Sequence, residues 1–295
     1  MINIIQNRKY YFLISGILIA ASVAALFIWG LKFGIDFTGG SLLEVAFQDK
    51  IAPVGEVQEK LVSLGVKESV IQPIGEKDLL LRLPVLDEIK HQEVAKELFK
   101  SFGAEEKSFE SVGPTLGREM RTKAFWSIVI VLLAIISYIA FAFRKVSYPV
   151  ASWKYGVNAV IALAHDVIIP LGLFAVLGRY LNVEISGALV AAMLTILGFS
   201  VHDTIVVFDR TRENLFKYRD TLENIVNRSV NETLARSLTT TFTTILALLA
   251  VYFFGGESVR YFSLMLIVGI SIGAYSSIFI ASPLLVVWHN RSGKK

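Results

Sequence analysis

Two His-Asp dipeptides lie inside long apolar runs. His165-Asp166 sits in VNAVIALAHDVIIPLGLFAVLG and His202-Asp203 in LVAAMLTILGFSVHDTIVVF, which uses two of the chain's four histidines. An ionisable side chain at membrane depth costs ~2.5–3.5 kcal/mol on insertion scales, so such residues are kept for a partner or a task. The task these residue types suit is the handling of protons or other cations. A carboxylate balanced between burial and a nearby cation loads and releases protons near neutral pH, and an imidazole titrates in the same range. Asp203 is the sharpest candidate, about five residues before the inner end of its apolar run. At helical rise that is ~7–8 Å, too deep for a short side chain to reach headgroups. Asp166 lies nearer the middle of its run. Adjacent helical residues point about 100° apart, so neither dipeptide is expected to be a charge pair in itself. His165 and His202 are candidate relay members; a satisfied core histidine is the competing reading for each.

A third group belongs with these. Arg236 opens another apolar stretch on the same side as Asp203, followed by Ser237, Thr239, Thr240, Thr241, Thr243 and Thr244. A guanidinium keeps its charge at any working pH, so it would pair with Asp203 only while the acid is ionised. The competing role is an arginine snorkelling to the interface. The hydroxyl run would hold water in the bilayer or simply pack between helices. Asp36, Gly39 and Gly40 form a separate glycine-rich turn, suited to a sharp entry into a strand.

The elements that must position these residues follow from composition. The chain has 295 residues, is 54% hydrophobic and only 18% charged, with a mean hydropathy of +0.58. That is the balance of a membrane protein with a smaller soluble part. Six stretches are long enough to span: about Tyr10–Leu31, Phe125–Phe143, Gly156–Gly178, Ile185–Phe208, Ser237–Phe254 and Tyr261–Trp288. The first follows Arg8 and Lys9 but is too long for a signal-peptide core, and reads as an uncleaved anchor. Arg8, Lys9, Arg144, Lys145, Lys154, the basic residues between Arg210 and Arg236, Arg291, Lys294 and Lys295 fall on one side. The opposite short loops hold only Arg179 and Arg260. The basic side is cytoplasmic by the positive-inside rule, which places both termini inside and residues 34–120 in the periplasm. The domains expected are a first transmembrane helix (1–33), the periplasmic domain (34–120) and a five-helix bundle (121–295). Residues 209–236 are expected as a cytoplasmic loop carrying an amphipathic helix or helix pair.

Residues 34–119 carry sixteen acidic against ten basic residues, so the net charge of +4 lies beside the apolar segments. This is topology, not a patch for nucleic acid. The outer segment reads as strand (Ser41–Phe47), helix from Pro53 to Gly65, strand ending at Gly75, strand (Leu79–Leu83), helix capped by Asp87 with apolar Ile89, Val94, Leu98 and Phe99, and a fourth strand. The order βαββαβ is that of a ferredoxin-like α+β domain. No cysteine is present. No phosphate-binding loop, metal-ligand spacing or nucleophile–base constellation is found, so neither enzyme chemistry nor a bound metal or organic cofactor is expected.

Three stretches together resemble a known family. GIDFTGGSLLEV (Gly34–Val45), ALAHDVIIPLG (Ala162–Gly172) and GFSVHDTIVVFDRTREN (Gly198–Asn214) are similar to the signatures of the SecF family, part of the bacterial SecD–SecF protein-export factor and of the resistance-nodulation-division superfamily. The resemblance covers essentially the whole chain. It implies a proton-motive-force-driven accessory of the Sec translocon, residing in the cytoplasmic membrane and promoting preprotein export. The implied partners are SecD, which supplies a second six-span half, the SecYEG channel, the preprotein and the lipid bilayer. Asp203 matches the family's proton-handling aspartate, Arg236 its arginine in the fifth span, and Asp166 a recurrent position. The coupling ion is expected to be H⁺, with Na⁺ open because a carboxylate serves either. A proton-coupled efflux subunit for small molecules or lipids is the alternative, disfavoured by the small outer domain; a membrane scaffold without ion coupling is a third reading.

Overall fold

The computed structural model describes residues 1–48, 50–74, 76–142 and 152–292; Gly75, Arg144, Lys145, Lys294 and Lys295 lie outside the described residues. Helix α1 (Arg8–Trp29) leads through a single turn, α2 (Ile35–Thr38), into β1 (Gly40–Phe47). Then follow α3 (Val54–Ser63), β2 (Val70–Ile74), β3 (Asp78–Leu83), α4 (Glu88–Phe102) and β4 (Ala104–Val112). Long helices complete the chain: α5 (Pro114–Ala142), α6 (Ser152–Leu181), α7 (Gly187–Lys217), α8 (Leu222–Phe254), α9 (Glu257–Ser276) and α10 (Ser282–Ser292). The chain divides into two compact units, residues 33–125 and the remainder.

In the first unit the four strands lie in the order β2-β3-β1-β4, every pair antiparallel. This is the ferredoxin-like arrangement that βαββαβ implies. Leu43, Val45 and Phe47 alternate onto one face beside Leu79, Leu81 and Leu83, because successive strand side chains point to opposite faces. Val57 and Leu61 of α3 and Val94 and Leu98 of α4 close the core over them. Asp87 caps α4 by accepting from the Lys90 amide at 2.8 Å, and Gly103, in the left-handed region, ends it. The expected apolar face of α4 needs correction. Ile89 and Phe99 are exposed, and the buried positions are His91, Val94 and Leu98, the true i, i+3, i+7 stripe. His91 earns its place by stacking on Phe109 with ring centroids 3.6 Å apart and bonding Glu106 at 2.8 Å. Gly39 and Gly40, at φ +77° and +139°, make the turn into β1. A Cβ on Gly39 would stand 2.9 Å from the Pro114 Cα, so the start of α5 closes against this turn. Asp36 lies in the first turn of α2.

Among the described residues six helical stretches are long and apolar enough to cross a membrane; all lie in the second unit but the start of α5, which belongs to the first. Half of the apolar stretch of α6, half of that of α7 and 61% of that of α9 with α10 are buried, against 6% for α5 and 11% for α8. Helices α6, α7 and α9 are therefore the core and the others its outer layer. Glycines set the closest approaches: a side chain at Gly172 would collide with Ser22 of α1, and one at Gly269 with Ile196 of α7. The last span changes register through a π-helical segment, Ser277–Ala281.

The segment expected as a cytoplasmic loop carrying an amphipathic helix or helix pair at 209–236 forms the helix pair. Helix α7 runs on to Lys217 and α8 begins at Leu222, which leaves only a turn between them. Thr221 caps α8 by accepting from the Asn224 amide at 3.3 Å. The two extensions bury Thr211, Asn214, Ile225, Val226, Ser229 and Val230, so they form a packed hairpin. Upstream of α1, Ile4 and Ile5 are buried against this hairpin. Asn227 Oδ1 accepts from both of their amides at 2.9 and 3.2 Å, and Asn231 Oδ1 accepts from the Ile2 amide at 2.7 Å.

Candidate functional site

The α7–α8 hairpin builds the site. Ser186 caps α7, and three polar contacts then zip the two antiparallel helices. Asn214 Nδ2 donates to Ser229 Oγ at 3.0 Å and Glu232 Oε2 at 2.9 Å. Arg210 Nε donates to the same Glu232 at 2.6 Å. Further along, Ser237 Oγ donates to Asp203 Oδ1. The partners step down one helix as they step up the other. The contact at Asp203 is therefore the next rung of a register already set at the polar end.

Asp203 is partly buried, and its second oxygen, Oδ2, is buried with no hydrogen-bond partner. Asp203 also lines a cavity of about 190 Å³, together with Phe199, His202, Val206, Arg236, Ser237, Thr240 and Thr241. At ~30 Å³ per water that is room for about six. The expected ion pair is absent: among the described residues no salt bridge joins Asp203 to Arg236. The two charged groups instead open onto one cavity. Hydrogen-bonding rules leave little choice for Oδ2. An uncompensated buried acceptor costs about 1–3 kcal/mol, and more when charged, so water, a cation or a proton must meet it. His202 is exposed beside the same cavity. The hydroxyl run divides. Ser237 and Thr241 turn inward, whereas Thr243 and Thr244 return their hydroxyls to carbonyls of their own helix, which leaves them free to pack against an apolar surroundings.

Asp166 is placed elsewhere, in the centre of the bundle, and is fully buried. Its Oδ1 meets His165 Nδ1 at 2.9 Å. Its Oδ2 accepts from Ser200 of α7 at 2.5 Å and Ser276 of α9 at 2.7 Å. The expectation that adjacent residues cannot pair is thus overturned. Backbone directions 100° apart at Cα still let an aspartate and a histidine bend their side chains together. His165 Nε2 lies 3.2 Å from Ser15 of α1. Pro170, four residues after Asp166, cannot return the usual hydrogen bond to the Asp166 carbonyl. The structure therefore separates the five charged candidates into two sites: Asp203, Arg236 and His202 at a cavity, and Asp166 with His165 in a closed core. Sequence reasoning missed Ser200, Ser276 and Glu232, since nothing distinguishes them from ordinary helix-packing polar residues until the helices are paired.

Comparison with known proteins places the chain in a family. The family described as "Protein export membrane protein SecD/SecF, C-terminal" matches residues 92–291, and the "SecD/SecF GG Motif" matches residues 24–51. The chain is 43% identical to the protein translocase subunit SecF of Thermobaculum terrenum, over 99% of this chain and 95% of that one. It is 36% identical to the protein translocase subunit SecF of Pseudomonas aeruginosa, over 98% and 92%. The crystal structure of SecDF, a translocon-associated membrane protein from Thermus thermophilus, superposes with a TM-score of 0.86 at 35% identity. That match covers 98% of this chain and 39% of the longer one. Sequence, fold and paired helices all agree that the chain belongs to the SecF family of protein translocase subunits, multi-pass membrane proteins.

Proposed function

We propose that this chain is one half of a proton-driven accessory of the Sec translocon, completed by a SecD partner, and that Asp203 is its loading site. The observation that carries the reading is that Asp203, whose buried Oδ2 has no hydrogen-bond partner, lines a cavity shared with Arg236. Since the chain spans 39% of the SecDF chain it matches, the other half of the transporter is assigned to SecD. The positive-inside pattern puts both termini in the cytoplasm of a bacterial cell and residues 34–120 in the periplasm. There the ferredoxin-like domain would bias a preprotein emerging from SecYEG.

In this reading an ionised Asp203 draws the Arg236 guanidinium across the cavity, and a proton bound at Oδ2 removes that attraction. The hairpin then repacks between two discrete states against the partner half. One proton moving down 100 mV supplies ~2.3 kcal/mol, which biases a two-state equilibrium about fiftyfold. Asp166, His165 and His202 carry no direct part in loading here, beyond the exposure of His202 to the same cavity.

Export in proteoliposomes containing the complex tests the proposal. Asp203→Asn is expected to assemble normally and to lose all stimulation by an imposed ΔpH. Full stimulation in that variant would sink the reading. Imposing a Na⁺ gradient in place of ΔpH decides the coupling ion: stimulation by Na⁺ alone would make Oδ2 a sodium ligand. Efflux of small amphiphiles, with no effect of an unfolded polypeptide, would favour the efflux alternative.

A further inference from the structure

We infer that His165 and Asp166 form a permanent buried ion pair which fixes the rotation of α7, so that Asp166 is the positioning residue for Asp203 and not a second loading site. This rests on the reading of Asp203 as the loading group.

Hydrogen-bond accounting fixes one proton. Tyr275 OH lies 3.2 Å from the Tyr11 carbonyl, which can only accept, so Tyr275 donates there. Ser15 Oγ, 3.4 Å from Tyr275 OH, then donates to Tyr275. Its hydrogen is spent, so Ser15 accepts from His165, and Nε2 carries a proton. On the other side of the ring, Nδ1 lies 2.9 Å from Asp166 Oδ1, where either an imidazolium donates to a carboxylate or a neutral ring accepts from a carboxylic acid. The inferred ion pair is the first of these. In that form Asp166 accepts all three of its hydrogen bonds, from His165, Ser200 and Ser276. A fully buried carboxylate with no counter-charge would be strongly unfavourable, and the imidazolium provides one. The remaining groups that face the pair are hydroxyls: Ser15 and Tyr275 beside His165, Ser200 and Ser276 beside Asp166.

Position gives the role. Ser200 precedes Asp203 by three residues, just under one turn. Gripping Ser200 from α6 therefore sets the angle at which Asp203 leaves α7. Gly273 makes this grip possible, since a Cβ there would lie 3.0 Å from the Ser200 Cβ. Asp203 keeps an unpaired oxygen and lines a cavity, whereas Asp166 has both oxygens engaged and no exposure. Only one of the two acids is poised to accept a proton.

The chain contains no cysteine, so a pair introduced as Phe199→Cys and Thr240→Cys, across the cavity, reports the rotation of α7 relative to α8. In the reconstituted complex, Ser200→Ala and Asp166→Asn are each expected to slow cross-linking of that pair by about fivefold, the effect of losing one hydrogen bond, and Gly273→Ala, whose Cβ would crowd the Ser200 Cβ, to slow it as well. Unchanged cross-linking in all three would overturn the positioning role even if their thermal stability fell. Infrared difference spectra on acidification address the charges. The band of a newly protonated carboxyl is expected to vanish in Asp203→Asn, to persist in Asp166→Asn, and to gain a second component in His165→Gln, where Asp166 loses its cation. Loss of the band in Asp166→Asn would make Asp166 a loading site and end the inference. Survival of the band in Asp203→Asn would instead refute the assignment of Asp203, while the cross-linking result stood on its own. Should Asp166→Asn fail to assemble, Ser200→Ala and Gly273→Ala carry the positioning test and His165→Gln the charge test.

Discussion

Asn227→Ala should loosen the segment before α1 without releasing it. The Asn227 carboxamide accepts from the amides of Ile4 and Ile5 and donates to the Ile2 carbonyl at 3.1 Å. Alanine strips the buried Ile5 amide of its acceptor, at about 1–3 kcal/mol if it stays buried, and leaves the Ile4 amide its 3.1 Å bond to the Ile2 carbonyl. The segment can fray to reach water, so the net loss is expected near the lower end, about 1 kcal/mol, or roughly fivefold in the open population. Ile4 and Ile5, both buried, oppose full release with about 1.5–3 kcal/mol each. Asn231→Ala, which loses bonds at the exposed Ile2, is expected to have the smaller effect. Hydrogen exchange of residues 2–7, followed by mass spectrometry on the complex in lipid nanodiscs, measures this directly. Protection that is unchanged in Asn227→Ala, or lost more fully in Asn231→Ala, would refute the reasoning. The outcome bears on coupling, because Asn227 lies nine residues before Arg236 on the same helix.

Other substitutions probe other parts. Gly172→Val should drive a side chain into Ser22 and destabilise the contact of α1 with α6 by about 1–3 kcal/mol; a thermal midpoint equal to that of the unmodified chain would show that the two helices can separate at no cost. In the α+β unit, the hydrogen bond from Lys60 at 2.7 Å, then its charge, holds the Glu97 carboxyl below its ordinary value of 4.5. A depressed carboxyl stabilises the fold above its unfolded value and ceases to do so as pH falls through the folded one. Lys60→Met is therefore expected to lower the thermal midpoint slightly at pH 7 and to leave it unchanged at pH below that of the folded carboxyl. An equal deficit at both pH values would assign the effect to lost packing instead.

Much of the architecture was legible because hydrophobic pattern dictates it. Six apolar stretches of spanning length and the βαββαβ order follow from periodicity and from the signals at Asp87, Gly65 and Gly103. The boundaries of the polar segment at 209–236 were not legible. A helix or helix pair is expected there, but Asn214, Ser229 and Thr211 are polar in one dimension, and only the pairing of the two helices makes them its buried inside. The α4 stripe misled for a related reason. Ile89 and Phe99 are more apolar than His91, but His91 has Phe109 and Glu106 to meet it, and tertiary partners outweigh hydrophobicity. At the site, Asp203 could be singled out because its type is rare in an apolar run. Its partner could not: sequence favoured the charge of Arg236, whereas the register of α7 and α8 delivers the hydroxyl of Ser237.

The thin burial of α8 has a consequence for the life of the molecule in a cell. Arg236, Thr240 and Thr243 share one exposed face of a helix. A chain made in excess of its counterpart would present that polar stripe to lipid. Membrane proteases that extract poorly seated helices should clear it, so that the abundance of the two halves is matched after synthesis, through turnover of the surplus.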